Sequence, residues 1–154
     1  KILSDCRWEV FGGDAYAMAE CYYTEVRKMA AMKPTILGHL DLITKFNEKA
    51  PCLDEESSRY RAAALDALHA ADPDATLLEI NTGAMSRGWR TSPYPARFLL
   101  EEWRDMGGQV ILTADAHSSD AIVYAYPEAA ELARAAGYSH AILLTASGWV
   151  PEPL

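Results

Sequence analysis

Apolar positions along the chain come in two rhythms, and their alternation predicts the architecture. From about Ala15 to Met32, Ala17, Cys21, Val26 and Met29 recur near helical spacing among Glu20, Glu25, Arg27 and Lys28, with Asp14 placed as an N-cap and Pro34 as the stop. Thr35-Ile-Leu-Gly38 is a short apolar strand, and Leu42 to Glu48 is a loop or short helix. A second helix is predicted from about Glu55 to Ala71, packing through Tyr60, Leu65 and Leu68. Thr76 to Asn81 is the next strand, Thr82 to Thr91 a polar loop, and Ser92-Pro-Tyr-Pro opens a helix that ends at Met106 before Gly107-Gly108. Gln109 to Ala114 is the third strand. A short turn of helix follows Ser118-Ser-Asp120, Pro127 to Ala136 is helical, and His140 to Thr145 is the last strand. Lys1 to Gly12 reads as irregular, and Ala146 to Leu154, with two prolines, as a tail.

Strands separated by whole helices cannot form hairpins, so they pair in parallel through right-handed crossovers. The predicted class is α/β, with about four parallel strands and intervening helices.

Ligands of parallel α/β folds bind beyond the carboxyl ends of the strands, which makes the residues delivered there the candidates. The first strand delivers His39 and Asp41, with Lys45 a lone cation nearby. The second delivers Glu79 and Asn81, then Arg87 and Arg90. The third delivers Asp115 and His117. In extended backbone, positions i and i+2 point the same way, so Asp115 and His117 emerge side by side where the strand runs out. An oxygen donor beside a nitrogen donor suits zinc or manganese. Arginine guanidinium is a good bidentate partner for phosphate. Each candidate also has a plainer reading, as a hydrogen-bonded structural histidine or a solvated surface cation. Glu79 would be costly in a core, so a polar lumen suits it better. His69, in an Ala-rich helix, and His140, at the start of a strand, are expected to be structural.

Composition narrows the field. The chain has 154 residues, half of them hydrophobic, which fits one domain or part of one. A net charge of −8 argues against nucleic acid as the partner. No apolar run approaches a membrane span and no signal peptide is visible. Cys6, Cys21 and Cys52 are widely spaced, which reads as reduced thiols in a cytoplasmic protein. There is no nucleophile elbow, P-loop or dinucleotide fingerprint, so an enzyme reading turns to metal-assisted hydrolysis.

Three stretches together resemble one family. Ile36-Leu-Gly-His-Leu-Asp-Leu-Ile-Thr-Lys-Phe-Asn47, Leu78-Glu-Ile-Asn-Thr-Gly83 and Leu112-Thr-Ala-Asp-Ala-His-Ser118 resemble the polymerase and histidinol phosphatase (PHP) superfamily, and most closely its histidinol-phosphatase branch. Phe11-Gly-Gly-Asp-Ala-Tyr-Ala-Met-Ala-Glu-Cys-Tyr-Tyr23 is similar to a helix start of that branch. The resemblance runs from about Trp8 to Leu144.

It implies a distorted (βα)7 TIM-like barrel with up to three divalent ions (zinc, manganese or iron) at the carboxyl end of its strands. By resemblance, His39, Asp115 and His117 are metal ligands, and Asp115 and His117 the catalytic residues. Arg87 or Arg90 is the phosphate-binding residue, with Lys45 a weaker candidate. The implied reaction is hydrolysis of histidinol phosphate to histidinol and phosphate, in histidine biosynthesis. The family's N-terminal His-x-His and further ligands have no counterpart here. The chain therefore reads as the C-terminal portion of a single PHP domain, whose N-terminal half is its missing partner, and is expected to be inactive alone. Another PHP phosphoesterase, a non-catalytic partial barrel and a general α/β binding module are the competing readings.

Overall fold

The computed structural model describes residues 9–154; Cys6 lies outside them. The elements are α1 (Ala15–Ala30), β1 (Ile36–Leu37), a 3-10 turn (Leu42–Thr44), α2 (Ser58–His69), β2 (Leu77–Asn81), α3 (Gly83–Ser86) and α4 (Arg97–Asp105). After them come β3 (Gln109–Thr113), a second 3-10 turn (Ser119–Ala121), α5 (Tyr126–Ala135), β4 (His140–Thr145) and β5 (Gly148–Pro153).

Local chemistry sets the helix ends. Asp14 caps α1 by accepting from the Tyr16 and Ala17 amides at 2.9 and 3.1 Å, and Ser57 caps α2 through the Tyr60 amide. Gly107, at φ +89, takes the left-handed turn that ends α4. A Cβ at Gly108 would collide with the Trp103 indole, so this position stays bare.

The sheet runs β1-β2-β3-β4-β5. β1 to β4 are parallel and consecutive, as the crossover argument predicts. β5 corrects the expected tail: it pairs antiparallel with β4 through a tight hairpin, from Thr145 opposite Gly148 to His140 opposite Pro153. Pro151 and Pro153 disguised it. Proline cannot donate to a ladder, but an edge strand has one side that needs no donors. The loop after β2 also differs, because Gly83–Ser86 closes into the short α3.

Register divides the sheet into two faces. Leu37, Leu78, Ile80, Val110 and Ala141 share one core with Tyr23, Tyr60, Leu68, Leu99, Leu100 and Trp103 of the helices. The other face carries Leu77, Glu79 and Asn81 of β2 beside Gln109, Ile111 and Thr113 of β3. It continues through Ile142 and Leu144 to Trp149 and Pro151. Leu144 is 59% exposed and Trp149 44%. A parallel sheet in chain order, with its helices drawing on a single set of strand positions, places every crossover on one side. Among the described residues no helix is long and apolar enough to cross a membrane.

Candidate functional site

The carboxyl ends of β1, β2 and β3 gather most of the candidates. β1 stops at Leu37 because the chain turns: His39 has φ +29, a backbone that side chains other than glycine rarely adopt. Three contacts hold this turn. The His39 amide donates to Glu79 Oε2 at 2.7 Å, the Leu40 carbonyl accepts from the Tyr22 hydroxyl, and the Leu42 amide bonds back to the His39 carbonyl. The His39 ring is half-buried.

Two residues on, Asp41 is fully buried. Its Oδ2 accepts from the Ala96 amide at 2.8 Å, joining the β1 turn to the start of α4. Burial pushes its carboxyl up to about 6, with the Ala96 hydrogen bond and the Arg90 guanidinium pulling the other way. Asp41 is a buried structural acid that its place in the Gly-His-Leu-Asp stretch does not advertise.

Glu79 spans the site. While Oε2 holds the His39 amide, Oε1 accepts from the Thr113 hydroxyl at 2.6 Å. Asn81 Nδ2 reaches the same hydroxyl at 3.3 Å, and Asn81 Oδ1 accepts from the Gly83 amide at 2.8 Å. Glu79 and Asn81 thus lie on the sheet face away from the helices, bonded across strands to Thr113 and, through Glu79, to the His39 amide.

Asp115 and His117 meet, but not as predicted. β3 ends at Thr113, and Asp115 has φ +46, so the backbone there is left-handed and not extended. The pair is brought together by a turn, in which His117 Nδ1 lies 2.7 Å from the Asp115 carbonyl, and by Arg87. The Arg87 guanidinium donates to Asp115 Oδ2 at 2.9 Å and to the Asp115 carbonyl at 3.1 Å, and its Nη1 lies 3.1 Å from His117 Nδ1. Asp115 and His117 are exposed. Gly83 makes the close approach possible. A Cβ there would sit 2.9 Å from the Ala114 carbonyl, the Asp115 Cβ and Arg87 Nη2.

The two arginines of the loop part company. Arg90 is 8% exposed. Its guanidinium donates to the Thr44 hydroxyl and to Ser92 Oγ, stacks 4.9 Å from the Tyr94 ring centre and lies 3.9 Å from Glu48. Lys45 is half-buried, with its ammonium 5.4 Å from the Phe46 ring centre. His69, expected to be structural, pairs with Glu102 at 2.6 Å.

Imidazole nitrogen and carboxylate oxygen are suitable ligands for zinc, manganese or iron, so the donors fit in kind. In number they fall short: among the described residues no three His, Cys, Asp or Glu side chains converge in one metal-sized group. A cleft of about 360 Å³ lies at the opposite end of the sheet, lined by Thr35, Leu77, Gln109, Trp149 and Pro151, away from every candidate ligand.

Over 90 residues the chain is 33% identical to a protein of Schizosaccharomyces pombe named "Probable histidinol-phosphatase". The matched stretch is 58% of this chain. That stretch covers 29% of the yeast protein, so the chain spans less than a third of the relative it matches. No family model matches the chain.

Proposed function

We propose that the chain is the C-terminal portion of a PHP domain, and that the whole protein is a metal-dependent phosphomonoester hydrolase acting on histidinol phosphate. The observation that carries this reading is the Asp115–His117–Arg87 group at the end of β3, in a chain similar to a histidinol-phosphatase. The one-sided placement of helices on consecutive parallel strands supports an arc of a (βα)7 barrel, whose missing strands would bring the remaining ligands.

His39, Asp115 and His117 would hold divalent metal. Bound metal would supply a water acidified towards neutral pH and a Lewis acid for the phosphoryl oxygens. The protein's own part is positioning. Arg87 presents one N–H donor to the Asp115 carboxylate and a second to the Asp115 carbonyl, and a phosphate dianion could accept from both donors. Arg87 is the better phosphate clamp, since its side chain is 30% exposed beside Asp115 and His117, whereas Arg90 is buried against Thr44 and Ser92. Lys45 is a secondary candidate. The unpaired thiols of Cys21 and Cys52 support a cytoplasmic protein.

The test is phosphate release by the intact protein from histidinol phosphate and from other monoesters. A clear preference for histidinol phosphate supports the reading, and equal rates point to a broader phosphoesterase. The Arg87–Asp115 ion pair favours a second reading for this chain by itself, a non-catalytic partial barrel. Metal content of the chain against His117→Ala separates the two readings: equal content removes His117 from the site.

A further inference from the structure

We infer that Glu79 is the positioning residue of this site, setting the spacing between the His39 side and the Asp115–His117 side from the strand between them. The inference rests on the metal-site reading above, and it gives Glu79 no contact with substrate or metal. The sequence places Glu79 on a polar face without giving it a partner. The structure shows both its oxygens already committed, one to a backbone amide of the first strand end and one to a side chain of the third.

Four observations converge. First, His39 sits at φ +29, a conformation that persists only where surrounding bonds over-determine it, and the 2.7 Å bond from its amide to Glu79 is one of them. Second, Gly38 leaves the space this bond requires: a Cβ there would lie 3.1 Å from Glu79 Oε2. Third, the Thr113 hydroxyl that donates to Glu79 belongs to the last residue of β3, two positions before Asp115. Its carbonyl accepts from the Thr82 amide, which fixes the next residue of the loop leading to Arg87. Fourth, β2 is the central member of the three strands, and Glu79 pairs in register with Ile111, on the face away from the helices. One carboxylate therefore couples two strand ends whose side chains do not touch each other through it.

Metal sites depend on such supports. Outer partners that orient ligands typically cost about 10–100-fold in metal affinity when removed. Glu79→Ala removes both links. Glu79→Gln keeps an amide oxygen for the His39 N–H while its amide group can only donate to the Thr113 hydroxyl, so it restores one link and reverses the other.

The experiment has two arms on the same chain. In the first, amide NMR spectra of the metal-free protein are compared with those of Glu79→Ala, Glu79→Gln and Thr113→Val. The His39 amide, bonded to a carboxylate, should resonate downfield and move upfield in Glu79→Ala, with Asp115 and His117 amides shifting too. Glu79→Gln should retain part of the His39 shift. Thr113→Val should shift the His39 amide across the sheet. Changes confined to residues 77–81 would overturn the inference.

In the second arm, Co²⁺ is titrated and followed by its visible absorption. Glu79→Ala should bind at least about tenfold more weakly than the parent chain, with Glu79→Gln between them. Equal affinity of the parent chain and Glu79→Ala would overturn the positioning role while leaving the metal site standing. Equal binding by the parent chain and His117→Ala would remove the metal site, and the NMR arm would still decide Glu79.

Discussion

The two faces of the sheet follow opposite rules. On the helix side, Leu78, Ile80 and Val110 are fully buried, and their neighbours are the aromatic and aliphatic groups of four helices. On the other side the same strands place Glu79, Asn81 and Thr113 in a hydrogen-bonded polar row, and beyond it leave Leu144 and Trp149 in solvent. The first face is where folding free energy is concentrated, because each buried side chain removes apolar surface from water. The second buries less, chiefly Ile111 and Ile142, and it also fixes directions, the task a reactive site requires. The contrast recurs on a smaller scale three residues apart, where Arg90 is buried in the scaffold and Arg87 lies over the candidate ligands.

The contrast breaks most visibly at Trp103. Its indole is fully buried against the bare Gly108, and its Nε1 donates to the Gln109 carbonyl at 2.9 Å. Trp103→Ala is expected to cost about 3–5 kcal/mol, read as a lower urea midpoint. A loss below 1 kcal/mol would mean that the helix-side core is not the main source of stability.

The arginines sharpen the contrast next. Arg90→Ala should cost about 3 kcal/mol, since it strips a buried charge from Thr44, Ser92 and Tyr94. Arg87→Ala should cost less than about 1 kcal/mol, because its partner Asp115 is exposed to solvent. Urea denaturation of the two variants side by side checks this, and a reversed order would exchange their roles.

Much of the scaffold was legible in the sequence. Short apolar runs bounded by Gly and Pro mark β1 to β4, and β4 spans His140–Thr145 as predicted. Where reading failed, it failed for physical reasons. β5 hid behind Pro151 and Pro153, because proline argues against a strand everywhere except an edge. Asp115 and His117 were found, but the rule that juxtaposes them assumed an extended backbone that Asp115 does not have. Glu79 was found as a candidate, but its bonding role was not, because that partner is an amide 40 residues away that only the pairing of strands brings near. Nothing in the spacing of Arg87 and Arg90 says which one is buried; the difference comes from the turn carrying Thr44. The barrel itself stays with the resemblance, since five strands in one sheet do not close.

Asp41 gives the next largest effect, as a pH dependence. Burial raises its carboxyl to about 6 from the ordinary 3.8. Between those values the folded chain keeps a proton that the unfolded chain has released, so stability falls as pH rises and the whole penalty is present above about 6. Two pH units correspond to on the order of 3 kcal/mol. Asp14 and Asp72 act in the opposite sense. The Ala17 amide and Lys33 respectively hold them below the usual range, and they lose that support only as pH drops through the ordinary carboxylate range. Stability measured between pH 5 and 6.5 is therefore dominated by Asp41, because Glu20, which Arg59 holds below its ordinary 4.5, acts mainly below that window. It should decline with rising pH in the parent chain and stay level in Asp41→Asn. A parallel decline in both would place the titrating group elsewhere.

The smallest expected effect lies on the open face. Leu144 stands opposite Trp149 in the β4–β5 hairpin, and more than half of its surface is in water. Replacing it with serine removes little buried apolar area, so Leu144→Ser should change the stability of this chain by less than about 0.5 kcal/mol. The comparison between faces depends on this near-silence. A loss as large as that of a helix-side residue, growing with protein concentration, would mean that a second copy already covers the face. A loss of that size independent of concentration would mean that the hairpin folds back over its own strands. Either outcome would make the second face a core in its own right, with Glu79 and Thr113 joining the already buried Asn81 as buried structure in place of a floor for chemistry.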